Sequence, residues 1–145
     1  MPVTPDDFPY RIEIPARFAD LDVNMHLNNS AAGTYYEDCR TKFHMKEMRA
    51  WLGHPETPSR LLIGRTTIEY FAEGPYPATY TVGCGVCKIG RSSWVDALAL
   101  FVDGHIIGAC ETTMVHTFGA GGAPMPEDLL ALLETLHAPS ALRFG

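Results

Sequence analysis

The sequence predicts an α+β fold in which a five-stranded antiparallel sheet wraps over one long central helix, with a short helix near the C-terminal end. Three observations carry this expectation. A single strand-like segment precedes the one long helix-period segment, which runs from about Ser30 to Trp51. Four strand-like segments then follow in series, near 61–72, 77–88, 92–102 and 106–118, without an intervening helix. Between the last two, Asp103-Gly104 is a two-residue hairpin signal, since a type I′ turn needs positive φ at both central positions.

The elements follow in order. Tyr10, Ile12, Ile14, Ala16 and Phe18 alternate with Arg11, Glu13, Pro15 and Arg17, the period-two pattern of a strand with one face inward. Pro15 places that strand at an edge or a bulge, because proline cannot donate to a ladder. The segment Ala19–Asn29 is rich in Asp and Asn, which favour turns and helix N-caps, and reads as a loop entering a helix. In that helix Ala32, Tyr36, Cys39 and Phe43 form the apolar stripe, while Glu37, Asp38, Arg40, Thr41 and Lys42 cover the other side. Gly53-His54-Pro55-Glu56-Thr57-Pro58 breaks the helix. The four strands that follow are read as a meander. Met125-Pro126-Glu127-Asp128 opens the short last helix with proline and acidic residues, where the missing N–H costs little and the helix dipole favours negative charge.

A chain of 145 residues, 46% hydrophobic and 19% charged, has the size and composition of one globular domain spanning 1–145. The net charge of −6 argues against a nucleic-acid partner, which requires a clustered excess of Lys and Arg. No signal peptide and no membrane-spanning run is evident, so the expected location is the cytoplasm, without membrane association. There the four cysteines, Cys39, Cys84, Cys87 and Cys110, are expected to be reduced. Cys84 and Cys87 form a CxxC, yet a strand would point them to opposite faces, and no second pair completes a metal site. They are read as small buried hydrophobes, with no metal and no cofactor expected.

The residues that can carry chemistry cluster just before the long helix: Asp20, Asp22, Asn24, His26, Asn28 and Asn29. Free N–H groups at a helix N-terminus can stabilise an oxyanion, while a carboxylate, an amide and an imidazole on the incoming loop can position and deprotonate a water. Those parts suit hydrolytic acyl transfer. The alternative is that Asp and Asn only cap the helix and shape turns, with His26 a loop histidine satisfied by a carbonyl. Tyr35, Tyr36, Phe43, Trp51, Phe71, Tyr80 and Trp94 line a pocket or, for most of them, form core.

Arg17-Phe18-Ala19-Asp20-Leu21-Asp22, then His26-Leu27-Asn28-Asn29, then Tyr36-Glu37-Asp38-Cys39-Arg40, resembles the 4-hydroxybenzoyl-CoA thioesterase-like hotdog family. The distinctive motif occupies about the second and third tens of residues, and the order of elements matches over nearly the whole chain. The resemblance implies a hotdog fold, acyl-CoA thioester hydrolysis, and Asp22 as the catalytic carboxylate with Asp20 in support. Asp20-Leu21-Asp22-Val23-Asn24-Met25-His26-Leu27-Asn28-Asn29 is also similar to the signature of plant acyl-ACP thioesterases. That likeness implies catalytic roles for Asp22, Asn24 and His26, and for Glu73, which ends Glu69-Tyr70-Phe71-Ala72-Glu73. Asn28, Asn29 and Tyr36 are the expected substrate contacts beside them. The chain lacks the second hotdog repeat of the plant enzymes, so CoA is the more economical carrier, with acyl-ACP as the alternative. Lys88, Arg91 and Ser92 offer a small polar and basic cluster for the CoA phosphates.

The same resemblance implies a homodimer or a dimer of dimers, with active sites between subunits. The nearly charge-free strand Ala78–Lys88 is the expected self-pairing edge. Two other readings compete. A hotdog hydratase or dehydratase shares the fold, but neither H-x-x-x-x-P nor D-x-N-P-x-H occurs, since Met25 follows Asn24. A non-catalytic acyl-CoA-binding hotdog protein would bind without turnover.

Overall fold

A computed structural model describes residues 2–52 and 59–144; the predicted helix break at 53–58 lies outside them. Strand β1 (Tyr10–Pro15) buries Tyr10, Ile12 and Ile14 in part against the core and exposes Arg11, Glu13 and Pro15. The alternation does not continue to Phe18. There the chain tightens into a 3₁₀ turn (Phe18–Asp20) and leaves Phe18 72% exposed. Helix α1 (Asn29–Glu47) ends before the predicted Trp51, because Arg49–Trp51 tightens into a separate 3₁₀ turn. Its stripe is also broader than predicted. Arg40 follows Tyr36 and precedes His44 at intervals of four, so all three lie on the inward face, and Arg40 is 7% exposed with Nη1 3.4 Å from Thr112 Oγ1.

Strands β2 (Ser59–Tyr70), β3 (Thr79–Ile89), β4 (Ser93–Val102) and β5 (His105–Phe118) follow. A two-residue strand β6 (Gly121–Gly122) and helix α2 (Glu127–Glu134) complete the elements. The sheet is antiparallel throughout, in the order β1-β3-β4-β5-β2, with β6 beside β5. Only β3, β4 and β5 form a meander. The predicted four-strand meander fails at β2, which crosses to the far edge and pairs with β5 from Ser59↔Phe118 to Tyr70↔Gly108. The hairpin between β4 and β5 closes as predicted, with Asp103 at φ 50°, Gly104 at φ 76°, and Val102 opposite His105.

The curled sheet wraps α1 in the hotdog arrangement. Phe43, Tyr80, Trp94, Leu98, Leu129 and Leu133 fill the space between sheet and helices, with α2 closing one end. A second, smaller cluster on the outer face joins Phe8, Phe101 and a set of alanines. Here the chain approaches the sheet so closely that β3 needs glycine. A Cβ on Gly83 would lie 2.6 Å from the Phe8 ring, and one on Gly85 2.4 Å from Ala138 Cβ. Cys84 packs in the inner cluster and Cys87 against the outer one, as expected for residues flanking an extended strand. All four cysteines are free thiols. Among the described residues no helix is long and apolar enough to cross a membrane, and no group of three or more His, Cys, Asp or Glu could hold a metal ion.

The expectation that Ala78–Lys88 is a free edge is incorrect. β3 is an interior strand, bonded to β1 on one side and β4 on the other. Its lack of charge reflects burial from Tyr80 through Val86, interrupted only at Thr81. The edges are β1 and β2.

Candidate functional site

The loop before α1 is anchored by Asp20. Its carboxylate is buried and accepts from Arg17 N–H (2.9 Å), Arg17 Nη2 (2.9 Å) and the Tyr35 hydroxyl (2.6 Å). The hydrogen bond from the Arg17 guanidinium is the main reason its pKa is held down at about 2. Burial and the neighbouring Asp20 charge push the Tyr35 hydroxyl upward. Asp20 therefore favours the folded state above its unfolded pKa, near 3.9, and loses this contribution as pH falls through about 2. Solvent screens Arg17, whose side chain is 76% exposed, so the contribution is on the order of 1–2 kcal/mol. Urea denaturation of wild type and Asp20→Asn should show a stability gap at pH 5 that closes as pH falls toward 2; a constant gap would contradict this account.

Beyond Asp20 the chain makes a tight loop whose neck is the Leu21↔Leu27 bridge. Asp22 organises it. Its Oδ1 accepts from the backbone N–H groups of Asn24 (2.9 Å) and His26 (3.2 Å), while its own N–H donates to the His26 carbonyl (2.9 Å). The turn requires a left-handed residue, supplied by Met25 at φ 61°. Among the described residues Oδ2 of Asp22 has no hydrogen-bond partner. Asn28 caps α1 by accepting from Ser30 N–H (2.7 Å), and Leu27 N–H donates to the Gly74 carbonyl, tying the loop to the segment after β2.

These connections border an open cavity of about 320 Å³. Asp22, His26 and Asn29 line it from the loop and helix start, and Ala32 and Tyr36 from α1. Tyr70, Phe71, Ala72, Glu73 and Gly74 come from the end of β2, and Leu100, Ile107 and Gly108 from β4 and β5. His26 Nδ1 lies 3.3 Å from Glu73 Oε2, yet that atom is buried and lacks an aligned hydrogen-bond partner. Asn29 and Ala32 bring part of the first turn of α1 to the same space. Ser30 and Ala32 donate to Asn28, whereas the N–H groups of Asn29 and Ala31 have no acceptor among the described residues.

Five of the sequence-predicted residues thus meet at one cavity: Asp22, His26, Glu73, Asn29 and Tyr36. Asn24 donates through its backbone to Asp22 and is exposed outside the cavity, and the side-chain oxygen of Asn28 is committed to the helix cap. Lys88, Arg91 and Ser92 lie at the β3–β4 turn and line no part of this cavity within one chain. Tyr70, Ile107 and Gly108 were missed. A Cβ on Gly108 would come 2.8 Å from the Tyr36 hydroxyl, so this in-strand glycine admits a buried phenol whose pKa is raised by desolvation. That glycine was the available signal.

A curled antiparallel sheet around one helix, with a polar loop and helix N-terminus facing a cavity, defines a hotdog protein of the thioesterase type. Residues 16–133 match the Thioesterase-like superfamily, and the chain belongs to that family. A Thermus thermophilus thioesterase solved with coenzyme A and zinc is similar in fold, at TM-score 0.76 and 24% identity over 90% of this chain and 95% of that one. A predicted thioesterase from Bacillus stearothermophilus aligns at TM-score 0.77 and 22% identity, covering 90% and 98%. A 1,4-dihydroxy-2-naphthoyl-CoA thioesterase from Synechocystis aligns at 0.73 and 13% identity, covering 90% and 98%. No curated protein sequence matches the chain.

Proposed function

We propose that residues 1–145 act as one cytoplasmic thioesterase domain that hydrolyses a fatty or aromatic acyl-CoA to the free acid and CoA. The observation that carries this reading is that Asp22, His26, Glu73 and Asn29, the first residue of α1, line one cavity, with the Asn29 N–H lacking an acceptor among the described residues. In this mechanism Asp22 takes a proton from a water, whose oxygen attacks the thioester carbonyl. The N–H group of Asn29 at the start of α1 receives the developing oxyanion. Collapse breaks the C–S bond and expels CoA thiolate, which is protonated on release. His26 and Glu73 orient the water and the thioester, and Asn24 and Asn28 support them through the loop and the cap. No bound cofactor takes part. A panel of short, long, branched and aromatic CoA esters, read with a thiol indicator, tests the reading and assigns the acyl class. Conversion of an unsaturated ester without thiol release would instead indicate a hydratase.

His26→Ala should lower kcat/KM less than Asp22→Asn does, because the imidazole orients a partner while the loop is held by Asp22. Equal losses in steady-state kinetics would contradict that ranking.

The CoA carrier reading is supported by the coenzyme A bound in the Thermus thermophilus protein. Acyl-ACP is the alternative carrier. In a homodimer or dimer of dimers, β2 is the pairing edge: it is unpaired on one side and exposes Leu62 and Ile63, each 52% accessible. In that dimer Lys88, Arg91 and Ser92, which line no part of the cavity within one chain, would meet the CoA phosphates in a site shared between subunits. Light scattering at micromolar concentration should report the dimer, and specific activity should fall on dilution below its dissociation constant; a fully active monomer would overturn the shared-site arrangement.

A further inference from the structure

After α2 the chain runs back across the outer face of the sheet. Val86 N–H donates to the Leu136 carbonyl (2.7 Å) and Ala138 N–H to the Val86 carbonyl (2.9 Å), and Ser140 Oγ meets Glu111 Oε2 at 2.5 Å. The far end of this strap is held by one side chain of β2. Glu69 accepts from Arg143 N–H (2.6 Å) and from Phe144 N–H (2.9 Å to Oε2). Two main-chain donors on one carboxylate form a specific clip. Beside it the Arg143 guanidinium stands over the Phe71 ring, 4.1 Å from its centroid.

Phe71 is shared between two environments. Its ring packs with the outer-face cluster, and it also lines the cavity that holds Asp22, His26 and Glu73. At this point β2 leaves the sheet: the N–H groups of Phe71 and Ala72 both converge on the Ile107 carbonyl, at 2.8 and 3.2 Å. Two residues later comes Glu73, whose carboxylate is largely exposed and which approaches His26 without an aligned hydrogen bond. The Glu73 side chain has no aligned hydrogen bond, and its backbone is held between the Leu27 N–H bond to the Gly74 carbonyl on one side and the Phe71–Ala72 segment on the other, so its place depends in part on how that segment is held.

We propose that the C-terminal strap, through Glu69 and Arg143, is a positioning device that fixes the Phe71–Glu73 wall of the cavity and so sets Glu73 against His26. Glu69 and Arg143 are positioning residues, acting through Glu73 from the opposite face of the sheet. The proposal rests on the thioesterase reading for its effect on turnover, but not for the clip itself.

Two measurements test it. Backbone amide exchange should show Phe71 and Ala72 losing at least about tenfold protection in Glu69→Ala, with the central strands β3 and β4 unchanged. Arg143→Ala should give a smaller loss at the same two amides. Glu69→Gln, whose side-chain oxygen still accepts, should restore most of the protection. In kinetics, Glu69→Ala should lower kcat/KM for the best CoA ester by about tenfold, the scale of a small misplacement near the chemistry. In a Glu73→Gln background it should lower it no further, because the effect passes through Glu73. Unchanged exchange at Phe71 and Ala72 would overturn the clip, and full additivity with Glu73→Gln would overturn its route to the site. A wild-type protein that releases no thiol from any ester, yet shows the exchange response, would sink the thioesterase reading and leave the clip standing.

Discussion

Asp22→Asn should lower thioester hydrolysis by at least about 100-fold, the range lost when a general base is removed, while folding and assembly remain intact. The change is chosen for what it keeps. An asparagine Oδ1 still accepts from the N–H groups of Asn24 and His26, which close the loop at 2.9 and 3.2 Å. What disappears is the second carboxylate oxygen, the one without a hydrogen-bond partner among the described residues. Circular dichroism and light scattering should match wild type, so the loss is chemical. Near wild-type kcat would transfer the base to Glu73, the next carboxylate on the cavity, and make Asp22 a loop-forming residue only.

The largest effect on stability should come from Asp96→Ala. Asp96 is fully buried on β4, where it meets His44 Nε2 at 2.5 Å and accepts from Trp94 Nε1 at 2.8 Å. Removing the carboxylate strands a buried imidazole and a buried indole N–H in the inner core, and each buried polar group left without a partner costs about 1–3 kcal/mol. The cluster lines none of the candidate cavity, so residual folded protein should keep its kcat. Urea denaturation reads the first part and kinetics the second. A loss under about 1 kcal/mol would show that the core relaxes around the missing group.

Much of the fold is legible in the sequence because its signals are local. Alternation marks β1, four-residue spacing marks α1, and Asp103-Gly104 marks the β4–β5 hairpin; each depends on residues a few positions apart. The position of β2 is not local. Whether it lies beside β3 in the sheet or crosses to β5 is a matter of long-range strand pairing, here the ladder with β5, and its own residues read the same either way. A charge-free β3 was read as a sticky edge, although the same composition fits a strand buried between two neighbours. Arg40 was assigned to the surface on its charge, yet its helical position at 36+4 placed it inside.

At the site, sequence proximity accounts for Asp22 and His26, which share one loop. Glu73 is some fifty residues away and was reached only through a motif resemblance; the cavity brings it to 3.3 Å from His26. Asn24 and Asn28 belong to the same motif but serve the loop backbone and the helix cap in this structure, a division of labour that residue type alone does not reveal. Tyr70, Ile107 and Gly108 enter through strand pairing, which joins Tyr70 to Gly108 across the β2–β5 ladder.

The central claim is that this cavity cleaves a thioester with water. It is tested most directly by incubating the wild-type protein with an acyl-CoA and quantifying free CoA thiol and free acid from the same reaction. The account predicts both products in equal amounts, over many turnovers, without added metal or cofactor. Tight binding of acyl-CoA with neither product formed, or acid formation without thiol, would contradict it.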